Sequence, residues 1–177
     1  MLELIAEEQP DGYGFMIDDD ISHIKRKKEG NELSGDEALE LLEKLYIMAK
    51  DMGARFGGFD YSEDNLKLKD MAPFSLTKPV FHLVLINVLD GVTYDERIRV
   101  GSDTEFWIAK QAVNRRMIKD NQYVVVTHGV DGGENSVIGY DRVEQRRYAK
   151  LVNNKWGINA MDWNGKSFRF KLPIKGT

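Results

Sequence analysis

Apolar residues fall along the chain in two rhythms. Short runs end abruptly at polar punctuation: Tyr13–Ile17 after Gly12, Ala54–Phe59 around Gly57 and Gly58, Phe81–Leu89, and Tyr123–Thr127. The third is nearly unbroken and rich in branched residues, as a strand covered on both faces would be. Between these runs the spacing becomes helical. Ser34-Gly35-Asp36-Glu37 has the form of a capping box, and Leu39, Leu42, Leu45, Tyr46 and Ala49 mark an apolar stripe that closes at Gly53. A second helix is expected from Ser102 or Asp103, with Phe106, Trp107, Ala109, Val113 and Met117 inward and Asp120-Asn121 as its end. A third runs from about Asp141 to Asn153, closes at Gly157 and carries Arg142, Arg146, Arg147 and Lys150. Asn164-Gly165 predicts a hairpin between Ile158–Trp163 and Phe168–Leu172.

Strands alternating with helices predict an α/β fold with a mixed, mostly parallel sheet flanked by helices, as one domain over residues 1–177. Met1–Glu8 reads as the last turns of a helix stopped by Gln9-Pro10-Asp11-Gly12. A helix tail just before a buried central strand suggests that the chain begins inside a larger α/β unit. Ser22–Lys28 reads as a mobile loop. Its cations Lys25, Arg26, Lys27 and Lys28 are either a solvated run or a device for steering a polyanion. Asp60, Glu63 and Asp64 lack metal-ligand spacing and read as surface, Asp131–Asn135 as a flexible loop, and His82 as a satisfied core histidine.

Composition narrows the class. The chain has 177 residues, 42% hydrophobic and 31% charged, with a formal net charge of −4. That describes a soluble globular domain and argues against a nucleic-acid binder that uses its whole surface. With no cysteine, disulfides and cysteine zinc sites are excluded. No apolar run approaches the roughly 20 residues of a membrane span, and the N-terminus lacks the layout of a signal peptide. A cytoplasmic protein is expected.

The chemistry concentrates where the first run ends. Asp18, Asp19 and Asp20 are adjacent anions, which repel one another unless a cation lies between them. In extended backbone Asp18 and Asp20 share a face, and paired carboxylates beyond a strand end suit Mg²⁺ or Mn²⁺. Asp103 at a helix start and His128 after a strand occupy equivalent places, so one site can form from distant positions.

The order of these motifs resembles the GT-A class of nucleotide-sugar glycosyltransferases, whose fold is Rossmann-related. FMIDDD looks like the DxD motif, GVTYDERIRVGSDTEFWIAKQAV like the later acidic motif, and VVVTHGVDGG like the strand and histidine that supply a further ligand. Where many members carry Glu-Asp, this chain has Ser102-Asp103. Within that class it resembles the phage-type TET-associated glycosyltransferases, which implies transfer to a hydroxymethylated pyrimidine in phage DNA, in the host cytoplasm. The resemblance implies a nucleoside-diphosphate sugar held by Asp18, Asp19 and Asp20, and Mn²⁺ or Mg²⁺ on Asp18, Asp20 and His128. It makes Asp103 the base that deprotonates the acceptor. Lys25–Lys28 with Arg146 and Arg147 would hold DNA phosphates. Members carry roughly two further βα units before the DxD strand, so a preceding segment or a partner chain would supply the base-binding half. Two other readings stand beside this one: a metal-dependent nuclease or phosphoryl-transfer enzyme, and a catalytically silent DNA-binding remnant.

Overall fold

The computed structural model describes residues 9–61, 72–76, 78–98, 102–128, 142–157, 159–163 and 168–170. The expectations for Met1–Glu8, for the 131–135 loop and for the Asn164-Gly165 turn lie outside these residues. The chain packs as two compact units. One is drawn from Met1–Thr93 and Trp107–His128, the other from Tyr94–Phe106 and Gly129–Thr177.

The first unit is built on a sheet of β1 (Tyr13–Ile17), β2 (Ile21–Arg26), β3 (Phe56–Asp60), β4 (Phe74–Ser75), β5 (Leu83–Asn87) and β6 (Ile118–Thr127). The strand order is β1-β5-β3-β6-β2, with β4 paired to β6. The α/β class and the mixed sheet agree with the sequence pattern, but the expected parallel majority does not. Among the described strands only β3 and β6 run parallel; β1–β5, β3–β5, β2–β6 and β4–β6 are all antiparallel. Nor is β1 central. It pairs with β5 alone; Tyr13–Met16 are only half-buried and Ile17 is exposed. Composition misled here, because an apolar run does not distinguish a central strand from an edge strand on a curled sheet.

The curl follows from chain length. β1 and β2 stand at opposite ends of the strand order, yet only Asp18, Asp19 and Asp20 join them. Four residue steps reach about 14 Å at full extension. The edges of a flat five-strand sheet lie about 19 Å apart. The sheet must bend until its edges approach, and two backbone bonds hold the bend. The Asp18 N–H donates to the His82 carbonyl beside β5, and the His128 N–H donates to the Asp20 carbonyl beside β6, both at 2.8 Å.

Helix α1 (Gly35–Met52) has the capping box read from its sequence, with Ser34 and Glu37 bonded reciprocally, and it ends at Gly53 with φ 63°. Its buried stripe is Leu41, Leu45 and Ala49. Leu42 and Tyr46 pack against the core as expected, but Leu39, also expected inward, is 66% exposed, and Leu41 is buried in its place. That stripe joins Ile24, Phe59, Leu83, Leu85, Ile118 and Val125 in the core. β3 lies between β5 and β6 and is buried throughout. Its glycines allow the close approach. A Cβ on Gly58 would stand 2.7 Å from the Leu83 carbonyl oxygen, and one on Gly57 2.9 Å from that of Ile118.

Helix α2 (Ser102–Asn114) stops earlier than its sequence suggests, and the division between the units falls within it. Arg115, at φ 55°, turns the chain out of the helix, so Ile118–Asn121 pair as strand instead. Lys110 anchors α2 to the Val88–Asp90 turn by donating to the Asn87 carbonyl and the Asp90 carboxylate at 2.7 Å each. In the second unit α3 (Arg142–Trp156) lies beside the antiparallel pair β7 (Met161–Trp163) and β8 (Phe168–Phe170). Asn153 joins helix to strand, exchanging two hydrogen bonds with the Met161 backbone. Among the described residues no helix is long and apolar enough to cross a membrane.

Two outcomes follow. Gly58→Ala should destabilise the chain by about 2 kcal/mol, because the added methyl meets backbone that cannot move aside; an unchanged denaturant midpoint would contradict the register. Asp11 accepts from the Tyr46 hydroxyl and from Lys50, in that order of strength, which holds its pKa down at about 2. Its folded pKa is below the unfolded one, so its contribution is present above pH 4, roughly, and fades as pH falls towards 2. Acid titration of Asp11→Asn should therefore lose less stability across that window than the parent does.

Candidate metal centre

The antiparallel pairings bring several chain segments to one end of the curled sheet: the C-terminal ends of β1, β3 and β6, and the N-terminal ends of β5 and β2. Asp18 leaves β1 there and Asp20 enters β2. His82 stands one residue before β5. Its φ is 67°, and across it the Leu83 N–H donates to the Phe81 carbonyl at 2.8 Å. That is a three-residue turn of positive φ, the strained form. Strain of this kind persists only where the surroundings enforce it, and it gathers at binding sites. Here it aims the ring at the acidic triplet, with Nδ1 2.9 Å from Asp18 Oδ2.

Asp18, Asp20 and His82 each offer one ligand atom, and these atoms lie within 4.8 Å of one another. Ligands on Mg²⁺ or Mn²⁺, bound at about 2.1 Å, stand roughly 3–4 Å apart. Small side-chain rotations therefore close this group on an ion. A test of fit comes from Asp20: its Oδ1 is buried and has no hydrogen-bond partner among the described residues. A carboxylate oxygen in that state is costly unless a cation meets it. Two carboxylates and an imidazole form a mixed hard and borderline set, suited to Mn²⁺ and acceptable to Mg²⁺.

The structure places ligand atoms of Asp18 and Asp20 within 4.8 Å of one another. Asp19 is exposed in the turn. His128 is fastened to Asp20 through its backbone; its ring is not a member of the ligand group. Asp103 is exposed at the start of α2, in the second unit, and accepts from the Tyr94 hydroxyl at 3.3 Å.

His82 is the residue that sequence reading assigned to the core. It sits in the first positions of an apolar run, and the strand proper begins only at Leu83. Its place before a strand, matching that of Asp18 after one, was the available signal. Asp60 is a second correction. It is 7% exposed rather than on the surface, and it accepts from both Lys27 and Lys119. Burial pushes its pKa up, but the two ammonium groups outweigh that and leave it below the usual range. Burial lowers that of Lys119. The expected basic loop is mostly strand β2: Arg26 pairs with Glu37, Lys27 is buried, and Lys28 alone of the four is exposed.

Calorimetric titration with Mn²⁺ should show one site per chain. Asp18→Asn, Asp20→Asn and His82→Gln should each weaken it by about tenfold or more, with His128→Gln having the smaller effect. His82→Gly should lose the metal while melting no lower than the parent, since glycine tolerates the positive φ. Equal metal affinity in all variants would refute the assignment.

Compared with protein-family models, curated proteins and solved structures, the chain matches none.

Proposed function

We propose that this chain is a divalent-metal-dependent transferase of the nucleotide-sugar glycosyltransferase type. In this reading Asp18, Asp20 and His82 hold Mn²⁺ or Mg²⁺ at the diphosphate of a nucleoside-diphosphate sugar. The observation that carries it is the convergence of three ligand atoms within 4.8 Å at one sheet end, together with the buried, unpartnered Asp20 oxygen. A bound cation supplies charge stabilisation to the departing diphosphate. The chain's own residues position it: Asp18 and Asp20 are set by the three-residue link, and His82 by its strained turn. The acceptor class that the resemblance implies is a hydroxymethylated pyrimidine in DNA.

The nuclease reading is the weaker of the two metal-dependent alternatives. Two-metal chemistry requires further carboxylates free to ligate. Asp60 is at the same sheet end, but it is neutralised by Lys27 and Lys119. One cation, rather than two, fits the groups left over.

A donor-hydrolysis screen across nucleoside-diphosphate sugars with Mn²⁺ tests the proposal. One donor class should be cleaved, and EDTA should abolish the reaction. Asp20→Asn and His82→Gln should reduce it by roughly a hundredfold. Metal binding without any nucleotide-sugar binding, or metal-dependent cutting of DNA, would overturn it.

A further inference from the structure

The second unit contains a cleft of about 310 Å³ between α3 and the segment leading into β7, lined by Arg146, Lys150, Asn153, Asn154, Asn159 and Asp162 among others. On α3, Arg146, Lys150 and Asn153/Asn154 follow at steps of four and three or four, so they form one stripe along the helix. Asn153 exchanges a hydrogen bond in each direction with the Met161 backbone, which fixes helix and strand and leaves the cleft pre-formed. The lining's single carboxylate, Asp162, already has a partner. Arg146 and Lys150 make no ion pair among the described residues.

A second cleft in the same unit shows what a merely structural arrangement looks like. It measures about 270 Å³ and is lined by Asp95, Arg97 and Lys155 among others. There every cation is answered. Arg97 grips Asp95 with two donors at 2.8 and 2.7 Å. Lys155 reaches Asp95 at 2.9 Å and the buried Glu105 at 2.7 Å. Where charge serves the fold of this unit it is paired; in the larger cleft two cations are left facing open space. Guanidinium and ammonium groups held side by side complement a phosphate. The Asn154 and Asn159 amides both donate and accept, as a polar heteroaromatic or sugar body requires.

We propose that this cleft binds a phosphate monoester or diester on a hydrogen-bonding body, as in a nucleotide. Arg146 and Lys150 take the phosphate, and Asn154 and Asn159 take the body. The proposal does not depend on the metal centre. Binding of inorganic phosphate, AMP and a fluorescein-labelled oligothymidylate to the full chain tests it, in the parent, in Arg146→Gln/Lys150→Gln and in Arg147→Gln. All three positions are exposed on α3, but Arg147, which the resemblance grouped with Arg146, does not line the cleft; circular dichroism checks that each variant folds. AMP should bind more tightly than phosphate. The double variant should lose about tenfold in affinity, and Arg147→Gln less than about twofold. Oligothymidylate that binds more tightly than AMP and weakens steeply with salt identifies a diester source; AMP as the tightest probe identifies a free nucleotide. The proposal fails if no probe binds at millimolar concentration. It fails equally if Arg147→Gln costs as much as the double variant, since the attraction would then be diffuse surface charge.

Discussion

A three-residue link between opposite edges of a sheet governs the first unit. Asp18, Asp19 and Asp20 must carry the chain from β1 to β2, although three strands intervene in the sheet. The only geometry that permits this is a curled sheet, and the curl concentrates chain ends on one side. Two backbone hydrogen bonds from the link to the flanks of β5 and β6 make the bend definite. The carboxylates are therefore held at a seam, where the backbone is fixed by its neighbours rather than left to wander as a surface turn would.

Charge in this unit is sorted into two kinds. Asp60 sits between Lys27 and Lys119, with all three nearly inaccessible to solvent. Removing one partner of such a cluster leaves an uncompensated buried charge, so its members are constrained together. The ring of Tyr61 lies under Lys119 and contacts Phe81, which connects this cluster to the residue next to His82. Asp18, Asp20 and His82 are the other kind: acids in excess, one oxygen buried without a partner. Neutralised charge supports the sheet; the unpartnered Asp20 oxygen marks where a cation belongs. The same distinction separates the two clefts of the second unit, with the sign reversed.

Much of the architecture was legible along the chain. The Ser34 capping box and the Gly53 cap bound α1 because both are local devices, satisfied by residues within a turn. The buried strand of Leu83–Asn87 announces itself by an unbroken apolar run. Single positions and lengths were less legible. Leu39 and Leu41 are equally apolar, and only the position of the sheet beneath α1 selects between them. Lys119, Asp120 and Asn121 resemble a helix end, yet they are buried strand because β3 offers a parallel edge there.

The acidic triplet and its position after a strand were written in the sequence, since three adjacent carboxylates need no neighbour to be recognised. So were the strand–helix alternation and the basic stripe of α3. Only tertiary structure decided that the sheet is mainly antiparallel and curled, that His82 leaves the core to face Asp18, and that Asp60 is buried between lysines. Each of those depends on contacts between residues roughly 30 to 110 positions apart, and a single chain's local pattern carries no information about which distant edge will meet it.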